Sequence, residues 1–140
     1  VIAESLAGKR IAITGATGFV GTALVERLLR SVPDCELVLL VRDGQRTSAA
    51  RRTDREIFKN DAFDRLRAEC TERGVDFSTV TDRVTTIAGD VTRDGLGLID
   101  TDRAIFAGCD TVIHSAAAVS FDSPLDSAVE INLLGPSRIA

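Results

Sequence analysis

Short apolar runs alternate along this chain with longer stretches in which apolar positions recur every three or four residues. Ile11-Ala12-Ile13-Thr14 is the first run, led in by Lys9-Arg10, and Val20 to Leu29 then carries apolar side chains at helical spacing. Pro33-Asp34 ends that helix. Glu36 to Arg42 follows and is apolar on both faces, as a strand inside a parallel sheet must be. Strand, helix and strand make one βαβ unit.

From Asp43 to Arg83 the chain turns polar and Arg-rich, but Ile57, Phe58, Ala62, Phe63 and Leu66 keep an amphipathic spacing. This predicts a helix over residues 51 to 73, closed by Gly74. Val84 to Ala88 reads as a third strand running into Gly89-Asp90-Val91. A loop through Gly95-Leu96-Gly97-Leu98 leads to a short helix near Thr101 to Ala107, and Asp110 to His114 is a fourth strand. Ser123-Pro124 opens a last helix, with proline where its missing N–H does little harm. Alternating strands and helices specify a doubly wound parallel α/β sheet with strand order 3-2-1-4. Strand 4 would be an unprotected edge and the last helix is still running at Ala140, so the domain over residues 1–140 is expected to be the N-terminal part of a larger one.

Composition narrows the partners. The 140 residues are 44% hydrophobic and 27% charged, the balance of an ordinary globular domain. Seventeen Lys plus Arg against 21 Asp plus Glu give a net charge of -4, so no overall basic field recruits nucleic acid, and a phosphate site has to be local. The longest aliphatic run, Leu37 to Val41, falls far short of the roughly 20 residues of a membrane helix, and the N-terminus lacks a signal-peptide pattern. Cys35, Cys70 and Cys109 show no metal-ligand spacing and read as unpaired thiols in a reducing, cytoplasmic setting. The oligomeric state is not encoded in any of these features.

The candidate chemistry sits at the strand ends. Thr14-Gly15-Ala16-Thr17-Gly18-Phe19-Val20-Gly21 sets glycines at G-x-x-G-x-x-G spacing between the first strand and the first helix. Gly15 permits a tight turn, Gly18 lets backbone approach a pyrophosphate, and Gly21 lets helix and sheet pack closely. The free N–H groups of the helix N-terminus would receive the phosphate charge, which points to a dinucleotide; a tight structural turn is the plainer alternative. Folds of this type that prefer NAD end strand 2 in an acid, whereas a basic residue there meets the extra phosphate of NADP. Here the strand ends in Arg42, with Glu36 at its far end and Asp43 one step into the loop, so NADP is the expected cofactor unless Arg42 is only a solvated charge. Asp90 can accept from an adenine amino group while Val91 packs on the ring.

Other residues are less telling. Ser115-Ala116-Ala117-Ala118 would let a cofactor lie against backbone, or would simply pack closely. His114, the sole histidine, has no second ligand at metal spacing and reads as a packed strand-end residue. Asn132, between Ile131 and Leu133, needs a polar partner. Arg46, Arg51, Arg52 and Arg55 could attract an anionic substrate, but Asp54, Glu56 and Asp61 interleave with them and favour a solvated helix face.

Taken together, Thr14 to Gly21, Leu39 to Arg42, Lys59 to Leu66, Gly89-Asp90-Val91, Leu96-Gly97-Leu98 and Val112 to Gly135 resemble the extended short-chain dehydrogenase/reductases. Within these they resemble the fatty acyl-CoA reductases with the male-sterility type NAD-binding domain. His114-Ser115-Ala116-Ala117 with Phe121-Asp122, then Asn132 to Gly135, is similar to the reductase signature H-x-A-A-x-V-x-F-D followed by N-x-x-G. Thioester reductases usually carry Gly-Ala after that histidine, so Ala116-Ala117 favours the acyl-CoA branch.

The resemblance implies a Rossmann fold, an NADP cofactor and a long-chain acyl-CoA substrate reduced to aldehyde or alcohol. It implies that Gly15, Thr17, Gly18, Phe19, Val20 and Gly21 hold the pyrophosphate, Arg42 the 2′-phosphate, and Asp90 and Val91 the adenine. Ala116, Ala117 and Ala118 would flank the nicotinamide ribose, and Asn132 would support the proton relay. The family usually has Thr where this chain has Pro136. Its catalytic Ser and Tyr-x-x-x-Lys would lie beyond Ala140, and these residues contain no tyrosine, so the segment alone is expected to be inactive. Another extended dehydrogenase or epimerase, and a noncatalytic redox-sensing module, remain as rivals.

Overall fold

The computed structural model describes residues 1–120 and 122–140. Four parallel strands, β1 (Arg10–Thr14), β2 (Glu36–Val41), β3 (Val84–Ala88) and β4 (Thr111–His114), form one sheet in the order β3-β2-β1-β4. The expected order is the observed one. Ile13 lies opposite Leu39 and Ile113, and Leu39 opposite Thr86, so β1 and β2 take the centre of the sheet.

A helix α1 (Ile2–Leu6), which hydrophobic spacing did not announce, precedes the sheet and buries no residue fully. Helix α2 (Phe19–Ser31) covers one face through Val25, Leu28 and Leu29. Against it and that face of the sheet pack Ile11, Ile13, Leu37, Leu39, Ile57, Phe63 and Leu66. A smaller cluster on the other face joins Ala12, Val38, Leu40 and Ile87 to Val91, Leu96 and Leu98.

The single helix expected over residues 51 to 73 is broken in the structure. It begins as α3 (Ala49–Arg52), capped by the Ser48 side chain, and widens to a π-helical turn over Thr53–Phe58. Asn60 then caps a 3-10 turn, Asp61–Phe63, by accepting from the Ala62 N–H at 2.9 Å, and α4 (Asp64–Glu72) follows. The guanidinium of Arg67 donates to the Phe58 and Asn60 carbonyls at 2.6 and 3.1 Å, which satisfies acceptors freed by the break. An asparagine side chain that competes for backbone donors outweighs the apolar spacing. The closure at Gly74 is as expected: with φ 64°, its N–H donates to Thr71 and that of Val75 to Cys70, a Schellman end to α4.

Short helix α5 (Ser78–Thr81) leads into β3, and α6 (Asp100–Ala107) into β4. The last helix starts later than expected. Pro124 stands at the cap of α7 (Leu125–Val129), Glu130–Leu134 is π-helical, and α8 (Gly135–Ile139) follows. Pro136 falls at the start of α8, where the change of helical pitch accommodates its missing N–H.

Candidate functional site

A cleft opens beyond the carboxyl ends of the strands. Gly15 turns the chain after β1 with φ 71°, and a Cβ there would sit 2.6 Å from the carbonyl carbon of Ser115. Only glycine fits this contact between the β1 and β4 loops. Thr14, fully buried, ties the same two loops together: its carbonyl accepts from Ser115 Oγ at 2.9 Å, and its Oγ1 lies 2.6 Å from His114 Nδ1.

Gly18 caps α2 in an extended conformation (φ -79°, ψ 169°), and a Cβ there would meet only the Gly15 carbonyl oxygen, at 3.2 Å. Gly21 is the tightest of the three. A Cβ on it would collide with that same carbonyl and crowd Ala16 Cα, so Gly21 seats α2 on its own glycine turn rather than on the sheet. Thr22 adds a side-chain bond from Oγ1 to the Ala16 carbonyl at 3.0 Å.

A cavity of about 240 Å³ lies over this turn, and Gly15, Thr17, Gly18, Arg42, Asp90, Val91, Ala116 and Ala117 line it together. Phe19, Val20, Gly21, Ala118 and Asn132 do not; Phe19 is 95% exposed and Val20 65%. Any part Phe19 and Val20 play in anion binding therefore falls to their backbone at the first turn of α2. Phe121, quoted in the signature, lies outside the described residues.

Ser115, which opens the small-residue run singled out in the sequence, also lines the cavity; Leu40, Thr92 and Ile131 line it too and escaped the sequence reading. Thr92 had a signal, since Asp-x-Thr is the pattern of a side-chain turn. Asp90 Oδ1 accepts from the Thr92 N–H at 2.9 Å and its hydroxyl at 2.8 Å. Burial works against the Asp90 carboxylate, but these bonds and the charges of Arg42 and Arg93 hold its pKa below the usual range.

The three charged candidates around β2 separate cleanly. Glu36 is at the opposite end of the strand, paired with Arg10 at 2.8 Å. Asp43 turns back into its own loop, where Oδ1 accepts from the Ala49 N–H at 2.7 Å. Arg42 alone faces the cavity, and its carbonyl is held by Arg52 Nη1 at 2.8 Å. Among the neighbouring arginines, Arg52 and Arg55 both engage Glu56, in keeping with a solvated, charge-paired face.

Asn132 finds the partner that its position demanded. Its Oδ1 accepts from the Ala118 N–H at 2.8 Å and its Nδ2 donates to the Ala118 carbonyl at 3.0 Å. The side chain thus holds the segment after β4 by both backbone groups of one residue.

His114 is half-buried, and burial pushes its pKa below the ordinary imidazole value. The Ala116 N–H approaches Thr14 Oγ1 at 3.4 Å, leaving the hydroxyl proton for Nδ1 of a neutral ring. With the folded pKa depressed, the unfolded chain binds the extra proton first, so this group lowers stability as pH falls below about 6.5. Thermal midpoints of wild type and His114→Gln should diverge on acidification, wild type falling faster. Parallel curves would show that His114 does not titrate differently in the folded protein.

A four-stranded parallel sheet with a glycine turn feeding a helix N-terminus at its carboxyl edge defines a Rossmann-type dinucleotide-binding domain. The family described as "Male sterility protein", an NAD-binding domain, matches residues 13–140, and the chain belongs to it. Its cofactor is accordingly a nicotinamide nucleotide.

Among curated proteins the chain is 36% identical over 99% of its length to "Fatty acyl-CoA reductase 1" of Mus musculus, and 35% over 97% to "Fatty acyl-CoA reductase 1" of Arabidopsis thaliana. It spans about a quarter of those relatives, 26% and 28% of their lengths. Among solved structures, the terminal R domain from the myxalamid PKS-NRPS biosynthetic pathway superposes with a TM-score of 0.65 at 28% identity, covering 95% of this chain and 31% of that one. An NADH-dependent reductase complexed with NAD shares the fold, with a TM-score of 0.59 at 18% identity, over 98% of this chain and 51% of that one.

Proposed function

We propose that residues 1–140 form the NADPH-binding part of a longer fatty acyl-CoA reductase that converts a long-chain acyl thioester to an aldehyde, with onward reduction to alcohol open to the same site. The observation that carries the cofactor choice is Arg42 facing the cleft over the glycine turn, while Asp43, beside it in the adjoining cavity, has Oδ1 tied to the Ala49 N–H and Glu36 is paired at the far end of β2. The names of the relatives carry the substrate class.

In this reading the pyrophosphate lies over Gly15, Thr17 and Gly18 and takes N–H groups from the first turn of α2, Phe19 and Val20 included. Arg42 meets the 2′-phosphate, Asp90 accepts from the adenine amino group, and Val91 packs on the ring. Ala116, Ala117 and Ala118 leave room for the nicotinamide ribose, and Asn132 keeps that segment in place through Ala118. Bound NADPH supplies the hydride.

The proton has to come from an acid that these residues lack, having no tyrosine. The proposed enzyme therefore draws its Ser, Tyr and Lys from sequence outside residues 1–140. Among the described residues no helix is long and apolar enough to cross a membrane, and the three cysteines are unbridged, which suits a cytoplasmic protein.

The test is NADPH oxidation coupled to release of CoA thiol. The 140-residue chain should oxidise no NADPH with any acyl-CoA, whereas the longer protein should turn over a long-chain acyl-CoA. A longer protein that binds NADPH but accepts only sugar nucleotides or steroids, or that oxidises nothing, would replace this reading with another extended dehydrogenase or with a redox sensor.

A further inference from the structure

A second cavity, of about 740 Å³, adjoins the first and shares Arg42 and Asp90 with it, which places it at the adenosine end of the cleft. Arg42, Arg52 and Arg93 line it together with Asp43, Asp90 and Asp102. Asp43 Oδ1 accepts from the Ala49 N–H and Asp90 Oδ1 from Thr92, which leaves Asp102, among the described residues, as the carboxylate of this cavity without such a bond. Every guanidinium nitrogen of Arg52 is already committed: Nε and Nη2 donate to the two Glu56 oxygens at 3.0 and 2.9 Å, and Nη1 to the Arg42 carbonyl. Among the described residues the side chains of Arg42 and Arg93 have no hydrogen bond or ion pair, so they are the cations this cavity has to offer.

Arg93 is also positioned. Gly95, Leu96 and Gly97 make a left-handed turn, with φ of 57°, 58° and 61°. Leu96, being no glycine, holds this conformation because its side chain is buried and its carbonyl accepts from the Asp90 N–H at 2.8 Å. The turn brings Gly97 against the Arg93 stem, where a Cβ would stand 3.0 Å from Arg93 Cδ. The stem thus lies along a bare glycine, and Arg93 lines the cavity from the loop after β3, as Arg42 does from the end of β2.

A phosphate monoester carries a charge of roughly -1.5 to -2 and three acceptor oxygens, more than one guanidinium neutralises. We propose that Arg93 is a second specificity-determining cation, which with Arg42 grips the 2′-phosphate from the opposite loop. This rests on the reading of the cofactor as NADP.

The probes are adenosine 2′,5′-bisphosphate and 5′-AMP, titrated calorimetrically into wild type, Arg93→Ala and Arg42→Ala. Wild type should prefer the bisphosphate, and Arg93→Ala should cut its affinity roughly 10- to 100-fold while leaving 5′-AMP almost unchanged. Arg93 is exposed, so its removal should not disturb the circular dichroism. Equal losses for both ligands would overturn the proposal in favour of stacking on adenine, and full retention of the preference would overturn it outright. A wild type without preference would instead bring down the NADP reading itself.

Discussion

Gly18→Val is expected to abolish measurable NADPH binding while leaving circular dichroism and thermal midpoint close to wild type. The backbone at Gly18 is extended and open to any residue, and the one neighbour of a new Cβ is the Gly15 carbonyl at 3.2 Å. Replacing a glycine cap by valine costs the helix about 1 kcal/mol. The valine branches have only the cavity over the glycine turn to occupy, where the pyrophosphate would approach. Losing two charge-assisted hydrogen bonds of about 1.5–3 kcal/mol each weakens binding by roughly a hundredfold or more. Gly21→Ala should behave oppositely, since its Cβ meets the Gly15 carbonyl inside the protein: the fold itself loses stability. Calorimetry with thermal melts on both variants makes the check. If Gly18→Val kept its affinity, the turn would be a structural element alone.

Arg42→Asp should carry the second large effect, an inversion of cofactor choice. A desolvated guanidinium–phosphate pair contributes on the order of 1.5–3 kcal/mol, and the substitution adds repulsion between carboxylate and phosphate. NADPH affinity should fall by roughly a hundredfold or more, while NADH, whose ribose hydroxyls an aspartate accepts, should hold or gain. The strand end survives the change because Arg52 grips the carbonyl of residue 42, not its side chain. Equal weakening of both cofactors in competition titrations would mean that Arg42 is a solvated charge with no phosphate to meet.

What the chain disclosed in advance follows from which forces are local. The order β3-β2-β1-β4 was legible because apolar runs of four to six residues between helical stretches admit little else. The cavity lining was legible wherever a motif supplied the residue, as with Gly15, Gly18, Arg42 and Asp90. Leu40 and Ile131 were not, because an apolar residue beside a cofactor site looks like any core residue until the strands are paired. Asn60 shows the limit for helices: apolar spacing carried the expected helix straight through it, while its side chain stops the chain by capping the next turn. Asn132 shows the converse. Its misplaced polarity announced a partner, but only the fold could bring Ala118, fourteen positions earlier, to both ends of its amide.

The central claim is that the cleft above the glycine turn is an NADP site selected by Arg42. Titrating NADPH and NADH separately into the 140-residue wild-type chain tests it most directly. NADPH should bind roughly 10- to 100-fold more tightly, with the margin narrowing as salt screens the phosphate. Equal affinities, or a preference for NADH, would contradict it.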